Sequence, residues 1–112
     1  MKISLRKMKR SRYMLNVTRV TIDEYEPQDV GTCAECSIVI NNILMIHKLK
    51  VVKGKDGEYF VTMPHTGNMY VTKEGKKRFD DVVYPLSPFL AKKIKVAVLE
   101  KYFSYANKEN VD

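Results

Sequence analysis

Hydrophobic and polar residues alternate, or β-branched residues cluster, in four stretches of the first part of the chain. Each stretch ends at a turn signal, which is typical of consecutive strands in an antiparallel sheet. The clearest turn is Asn41-Asn42, because asparagine tolerates the positive φ angles of a tight hairpin. The four predicted strands cover residues 15–22, 33–40, 43–52 and 59–63.

The connections between these strands are also marked in the sequence. An acidic stretch with a proline, residues 23–31, predicts a loop, and Gly54-Lys-Asp-Gly57 predicts a turn. Pro64 has no amide proton to donate to a ladder, so it ends the fourth strand. In the polar segment 65–78, residues 69–72 can form a short additional strand.

The last part of the chain has the period of a helix. Ser87 is the predicted N-cap and Pro88 the first helical residue, so we expect a helix from Pro88 to about Tyr105. Its apolar residues form two stripes. One is suited to cover the sheet, and the other could equally pack within the monomer or on a second subunit. The first contains Leu90, Ile94, Ala97 and Val98, and the second contains Val96, Leu99 and Phe103.

These elements predict an α+β fold, an antiparallel β-meander of about four or five strands with one C-terminal helix. A chain of 112 residues fits one domain with a small core. The expected organisation is a basic N-terminal arm at residues 1–12, the folded domain at 13–106 and a tail at 107–112.

The net charge of +7 is concentrated at the amino terminus. Six cations and no acid lie in the arm, so seven minus six leaves a net of +1 for the rest of the chain. An anionic partner is expected from this balance. The arm itself is equally well explained as a disordered leader or as a segment that follows a nucleic-acid groove. Its cations are Lys2, Arg6, Lys7, Lys9, Arg10 and Arg12.

A second set of cations groups around the third strand, the long polar segment and the helix start. Such side chains gain affinity for nucleic acid mainly by displacing counterions from phosphates. Any one of these residues is more simply explained as an exposed side chain. As a group they are the candidate nucleic-acid-binding residues: Lys48, Lys50, Lys76, Lys77, Arg78, Lys92, Lys93 and Lys95.

Cys33 and Cys36 have the spacing of a redox or metal pair, which is a weak signal alone. A zinc site needs four ligands, and His47 and His65 do not have the spacing of a common zinc finger. On a regular strand, residues three apart face opposite sides. We therefore expect two small buried residues on opposite faces, with no metal and no cofactor.

No catalytic set is predicted. The two histidines have no serine or cysteine on a nucleophile elbow. A turn or helix-end hydrogen bond explains Asp80 and Asp81 better than acid–base chemistry. A small-molecule substrate is not expected. Without a secretory signal or a membrane-spanning apolar segment, we expect a cytoplasmic protein that does not bind the membrane.

Three segments, in this order, resemble the stage V sporulation protein G (septation protein) family of small bacterial regulators. They are Gly57-Glu-Tyr-Phe-Val-Thr-Met-Pro64, Phe79-Asp-Asp-Val-Val-Tyr-Pro-Leu86 and Lys93-Ile-Lys-Val-Ala-Val-Leu-Glu-Lys-Tyr102. The resemblance extends from near Leu15 to near Tyr102. It implies a homodimer that binds DNA and, in some members, RNA through basic residues near the helix start.

The match at the helix start is incomplete. Lys93 corresponds to the family lysine, but Ala91 stands where an arginine is expected and Lys92 where a glycine is expected. Lysine makes a point-charge contact where arginine could bind guanine with two hydrogen bonds, so a family sequence preference does not transfer directly. Tyr84 replaces a histidine before Pro85.

Together, these features predict a small non-catalytic regulatory protein that binds DNA and possibly RNA, as the septation and sporulation regulators do. The alternative is a protein-interaction module of the cell-division machinery that does not bind nucleic acid. In that case the second helical stripe or a sheet edge would hold the partner.

Overall fold

The computed structural model describes residues 14–109, apart from the side chain of Phe79. Six strands and one helix lie in this range: β1 Val17–Tyr25, β2 Gly31–Ile40, β3 Leu44–Lys53, β4 Tyr59–Thr62, β5 His65–Val71, β6 Lys77–Asp81 and α1 Pro88–Glu109. Strands β1 to β4 form one antiparallel sheet in sequence order, and β5 and β6 form a separate two-stranded sheet. The predicted arm at residues 1–12 and the end of the predicted tail, residues 110–112, lie outside the described residues.

The α+β fold expected from the sequence is confirmed. The meander and the C-terminal helix are both present, and the additional strand expected at residues 69–72 is part of a longer hairpin. Two boundaries differ from the prediction. The helix continues beyond Tyr105 to Glu109, and the loop expected at residues 23–31 is shorter because β1 reaches Tyr25.

The predicted hairpin turn and the predicted helix N-cap are both present. Asn41 and Asn42 have φ angles of 52° and 58°, and they connect β2 to β3. The Ser87 hydroxyl oxygen accepts a hydrogen bond from the backbone N–H of Leu90 at 3.3 Å, as an N-cap does. Both signals depend on neighbouring residues only, which is why the sequence contains them.

Helix α1 covers one face of the four-stranded sheet, and no helix of residues 14–109 covers the other, which we call the helix-free face. Ile94, Val98 and Tyr102 recur every four residues and are buried against the sheet. They join a core whose sheet residues include Cys36, Ile38, Leu49 and Val51, each with an exposed fraction of 0%.

The second apolar stripe of α1 is only partly covered within the monomer. Leu99 packs against the core, and the ring of Phe103 meets that of Tyr59 edge-on at 5.0 Å between centroids. Val96 remains 45% exposed beside the helix start. Phe103 is also 42% exposed, so the stripe makes contacts within the monomer but leaves much of Val96 and Phe103 uncovered.

Cys33 and Cys36 are both buried in the same core, as small apolar residues are. The expectation that they lie on opposite faces is wrong. Thr32 pairs with Val52 and Ala34 with Val51, so Cys33 is an extra residue in a bulge, and the regular alternation fails there. Burial, together with the charges of nearby carboxylates, raises the pKa of the Cys36 thiol from 9.0 to about 12.

Alkaline pH is expected to destabilise the fold through Cys36. Above pH 9.0 the thiol of the unfolded chain loses its proton, while that of the folded chain keeps it up to about pH 12. The free energy of unfolding therefore falls as pH rises through this window, by about 1.4 kcal/mol per pH unit for one group. Denaturant unfolding of the wild type and of Cys36→Ala below and above pH 9.0 measures this effect. The stability advantage of the wild type should shrink with rising pH; an advantage independent of pH would contradict the prediction.

A second bulge lies in β3. His47 and Lys48 together stand opposite Ser37, and Lys48 has a left-handed φ of 70°. Because the bulge adds one residue, Ile46 and Leu49 both contact the core although they are three positions apart. The bulge thus restores the inward alternation of β3 at the cost of backbone strain at a lysine.

Glycine at position 48 is expected to relieve this strain. A left-handed conformation costs a residue with a side chain about 1–2 kcal/mol, which glycine would not lose. The greater freedom of glycine in the unfolded chain lowers the free energy of unfolding by about 0.5–1 kcal/mol and so offsets part of this gain in stability. Lys48→Gly should therefore leave the melting temperature unchanged or raise it. The control is Lys50→Gly, two residues along the same strand at a position without positive φ, which should lower it. Equal losses at both positions would show that the left-handed conformation carries no strain.

Candidate nucleic-acid interface

The fold separates the eight predicted cations into groups. Lys50, Lys77 and Arg78 line one groove, and Lys92 and Lys93 line another. The remaining residues, Lys48, Lys76 and Lys95, line neither of these grooves and are exposed. The structure therefore does not bring the whole predicted set onto one surface.

The first of these grooves, which we call the hairpin groove, lies between the four-stranded sheet and the β5–β6 hairpin and has a volume of about 970 Å³. Lys50 pairs with Thr62 across β3 and β4, and Val52 pairs with Phe60. Since Val51 between them contacts the helix-covered core, these four residues belong to the helix-free face. The sheet wall of the groove is therefore set by strand alternation.

The opposite wall comes from the hairpin. Tyr70 pairs with Arg78 and Val71 with Lys77, so the two hairpin cations that line the groove lie at neighbouring positions of β6. At its base, the N–H of Val82 donates to the carbonyl oxygen of Pro64 at 2.8 Å. This hydrogen bond closes the hairpin where it leaves β4.

Charge is distributed unevenly along the hairpin groove. Lys77 and Arg78 lie toward the tip of the hairpin, whereas Asp81 pairs with His65 at its base and Asp80 lies next to it. Asp80 and Asp81 were expected at a turn or a helix end, but both lie in β6. Their position makes the base of the groove less favourable for a phosphate than the tip.

Three aromatic residues of the hairpin groove were missed by the sequence reasoning. Phe60, Tyr70 and Tyr84 line it together with the cations. Phe60 carries a signal in the sequence, since it lies between Tyr59 and Val61, which pack against the core. The alternation of β4 therefore predicts an outward-facing ring. Tyr70 and Tyr84 carry no such signal, because their proximity depends on how the hairpin is placed.

The second groove, which we call the helix groove, has a volume of about 480 Å³ and lies between the helix start and the chain preceding β1. Lys93 spans it: its ammonium group donates to the carbonyl oxygen of Leu15 at 3.2 Å and to Oδ1 of Asn16 at 3.0 Å. Two of the three ammonium donors are therefore used within the protein. Lys92 and Lys95 are exposed and lie three residues apart, on neighbouring turns of the same helix side.

Lys48 has a carboxylate close to it. Its ammonium nitrogen lies 3.9 Å from Oε2 of Glu35, and its side chain is 72% exposed. An exposed pair of this length contributes little to stability. Glu35 also pairs with Lys50 across β2 and β3, so this carboxylate reduces the positive charge of the sheet face at its centre.

A hydrogen-bonded chain crosses the helix-free face and was not predicted. The Ser37 hydroxyl lies 2.5 Å from Oδ2 of Asp23 and 2.8 Å from Nδ1 of His47, linking β1, β2 and β3. A hydroxyl has one proton, so if Ser37 donates to Asp23, His47 must donate its Nδ1 proton to Ser37. Ser37 is 3% exposed, so the chain of hydrogen bonds satisfies a buried hydroxyl and links three strands.

Two further features bear on function. Among the described residues, no three His, Cys, Asp or Glu side chains come together as ligands for a metal ion. Helix α1 carries charges along its length, and within residues 14–109 no helix has the length and apolarity needed to cross a membrane.

Comparison with known proteins identifies the family. The SpoVG family model matches residues 15–104. The chain is 35% identical over 91 residues to a protein of Fusobacterium nucleatum named septation protein SpoVG, which covers 80% of this chain and 90% of that protein. A protein of the same name from Lachnoclostridium phytofermentans is 30% identical over 79 residues, covering 70% and 77% of the two chains. A third protein of this name, from Finegoldia magna, is 33% identical to the chain over 69 residues. The alignment covers 62% of this chain and 57% of that protein. The resemblance seen in the sequence is thus confirmed, and the chain belongs to the SpoVG family.

Proposed function

We propose that this protein is a non-catalytic regulatory protein of septation that acts in the cytoplasm by binding nucleic acid. The observation that supports this most is the convergence of Lys50, Lys77 and Arg78 on the hairpin groove. These residues come from different sheets and from distant parts of the sequence. Cations that gather on one groove through tertiary structure are better explained by an anionic ligand than by solubility alone.

Binding would rest mainly on phosphate contacts. Each cation that pairs with a phosphate releases condensed counterions, so affinity falls steeply with salt. Lys92 and Lys95 on the helix would supply a second set of contacts. Lys93 would contribute mostly by holding the helix start against Leu15 and Asn16. A homodimer would present these surfaces twice and raise the effective affinity for a long nucleic acid.

The second candidate function, a protein-interaction module, is favoured by a different surface. An apolar groove of about 290 Å³ lies near the β2–β3 turn and the helix start. Ile43 lines this groove and is 87% exposed. Leu86, just before α1, is 88% exposed, and Phe89, in the first turn of α1, is 77% exposed. Exposed apolar residues of this kind mark protein interfaces, including that of a homodimer.

Charge removal at the hairpin groove is expected to weaken nucleic-acid binding more than removal elsewhere. Fluorescence anisotropy with labelled duplex DNA and with labelled single-stranded RNA, at two salt concentrations, measures the affinity. The groove variant combines Lys50→Gln, Lys77→Gln and Arg78→Gln. We expect it to bind at least about tenfold more weakly, with a salt slope reduced by about 0.7–0.9 for each phosphate that is no longer neutralised.

The matched control removes the same number of charges away from both grooves, at Lys55, Lys101 and Lys108, and should change affinity only slightly. A further variant, Lys92→Gln with Lys95→Gln, measures the helix contribution while sparing the hydrogen bonds of Lys93. Equal losses of affinity in the groove and control variants would mean that only net charge matters. Absence of wild-type binding to either nucleic acid would reject the proposal in favour of the protein-interaction module.

A further inference from the structure

Three exposed aromatic rings lie in the hairpin groove beside its cations. Phe60, Tyr70 and Tyr84 are 44%, 48% and 60% exposed, although rings of this size usually contribute to a core. The other face of the same sheet shows the contrast: Tyr59 packs there against Tyr102 and Phe103. The groove rings thus present apolar surface to solvent at the place where the cations converge.

The rings and cations are placed next to one another by strand pairing. Tyr70 and Arg78 are paired neighbours on the hairpin. On the sheet wall, Lys50 and Phe60 belong to nearby pairs of the β3–β4 ladder and lie on the same face, as diagonal neighbours. Each wall of the groove therefore places a positive charge next to a ring.

We infer that the hairpin groove binds an unpaired nucleic-acid strand, with bases stacked on Phe60, Tyr70 and Tyr84 and phosphates held by Lys50, Lys77 and Arg78. This inference rests on the proposed function and specifies its ligand. In a duplex, each base is covered by its neighbours in the stack and presents only its edges to the grooves. An aromatic side chain can therefore stack on a base of a duplex only by first unstacking a base step, whereas an unpaired strand offers its base faces directly. Such stacking tolerates any base sequence.

The charge distribution is consistent with a strand held in one part of the groove. Phosphates are favoured near Lys77 and Arg78 and disfavoured near Asp80 and Asp81 at the base of the hairpin. The exposed lysines of α1 do not line the hairpin groove and therefore lie apart from its aromatic rings. They would contact either form of nucleic acid through phosphates alone.

The test compares a short labelled oligonucleotide, as a single strand and as the corresponding duplex, by fluorescence anisotropy. The variants are Phe60→Leu, Tyr70→Leu and Tyr84→Leu, which keep an apolar side chain but remove the ring. Single-strand affinity should fall by about tenfold for each ring that stacks on a base, and duplex affinity should stay within about twofold. The salt slope should remain that of the wild type, because every phosphate-binding cation is retained.

Two controls show whether the ring itself is needed. Phe89→Leu removes an exposed ring from the helix groove and should leave single-strand binding unchanged. Tyr70→Phe and Tyr84→Phe keep the ring and should retain the affinity that the leucine variants lose. Thermal unfolding of each variant should match the wild type, since all three groove rings are exposed.

The outcomes separate the two proposals. If the wild type binds single strands but the leucine variants bind equally well, stacking in this groove is rejected while nucleic-acid binding stands. If the variants lose single-strand and duplex affinity alike, the rings do not select unpaired strands, and the inference is also rejected. If the wild type binds neither form, the proposed function fails and this inference fails with it.

Discussion

The packing of α1 on one face of the four-stranded sheet is the interaction on which the rest of the structure depends. Ile94, Val98 and Tyr102 complete a core that the sheet alone could not close, because a sheet of four strands has two faces and this chain has one helix in the described range. The other face carries no helix within residues 14–109 and bears exposed side chains such as His47. That exposed face supplies one wall of the hairpin groove and contains the Asp23–Ser37–His47 link.

Irregularities in β2 and β3 allow the core to form with this sequence. The bulge at Cys33 buries two cysteines that regular alternation would place apart, and the bulge at His47 and Lys48 brings both Ile46 and Leu49 inward. The same second bulge places His47 beside Ser37 on the exposed face. A single added residue thus serves the core on one side of the sheet and a polar network on the other.

The features that could be predicted from the sequence are those determined by neighbouring residues. Asn41-Asn42 and Ser87 carry their turn and cap in their own chemistry, and the four-residue period of α1 predicts its buried side. The bulges could not be predicted, because register depends on the partner strand. For the same reason, the eight predicted cations could not be assigned to surfaces from the sequence. Lys50 meets Lys77 and Arg78 only through the placement of the hairpin, and Lys93 meets Asn16 across most of the chain.

The β5–β6 hairpin has its own hydrogen-bonded ladder, separate from that of the four-stranded sheet. One wall of the groove is therefore anchored in the core, while the other is a projecting unit joined to it at Pro64 and Val82. Adding or removing pairs at the hairpin tip would lengthen or shorten the groove without disturbing any buried residue of α1 or the main sheet. Within this architecture, the length of the groove can evolve independently of the stability of the fold.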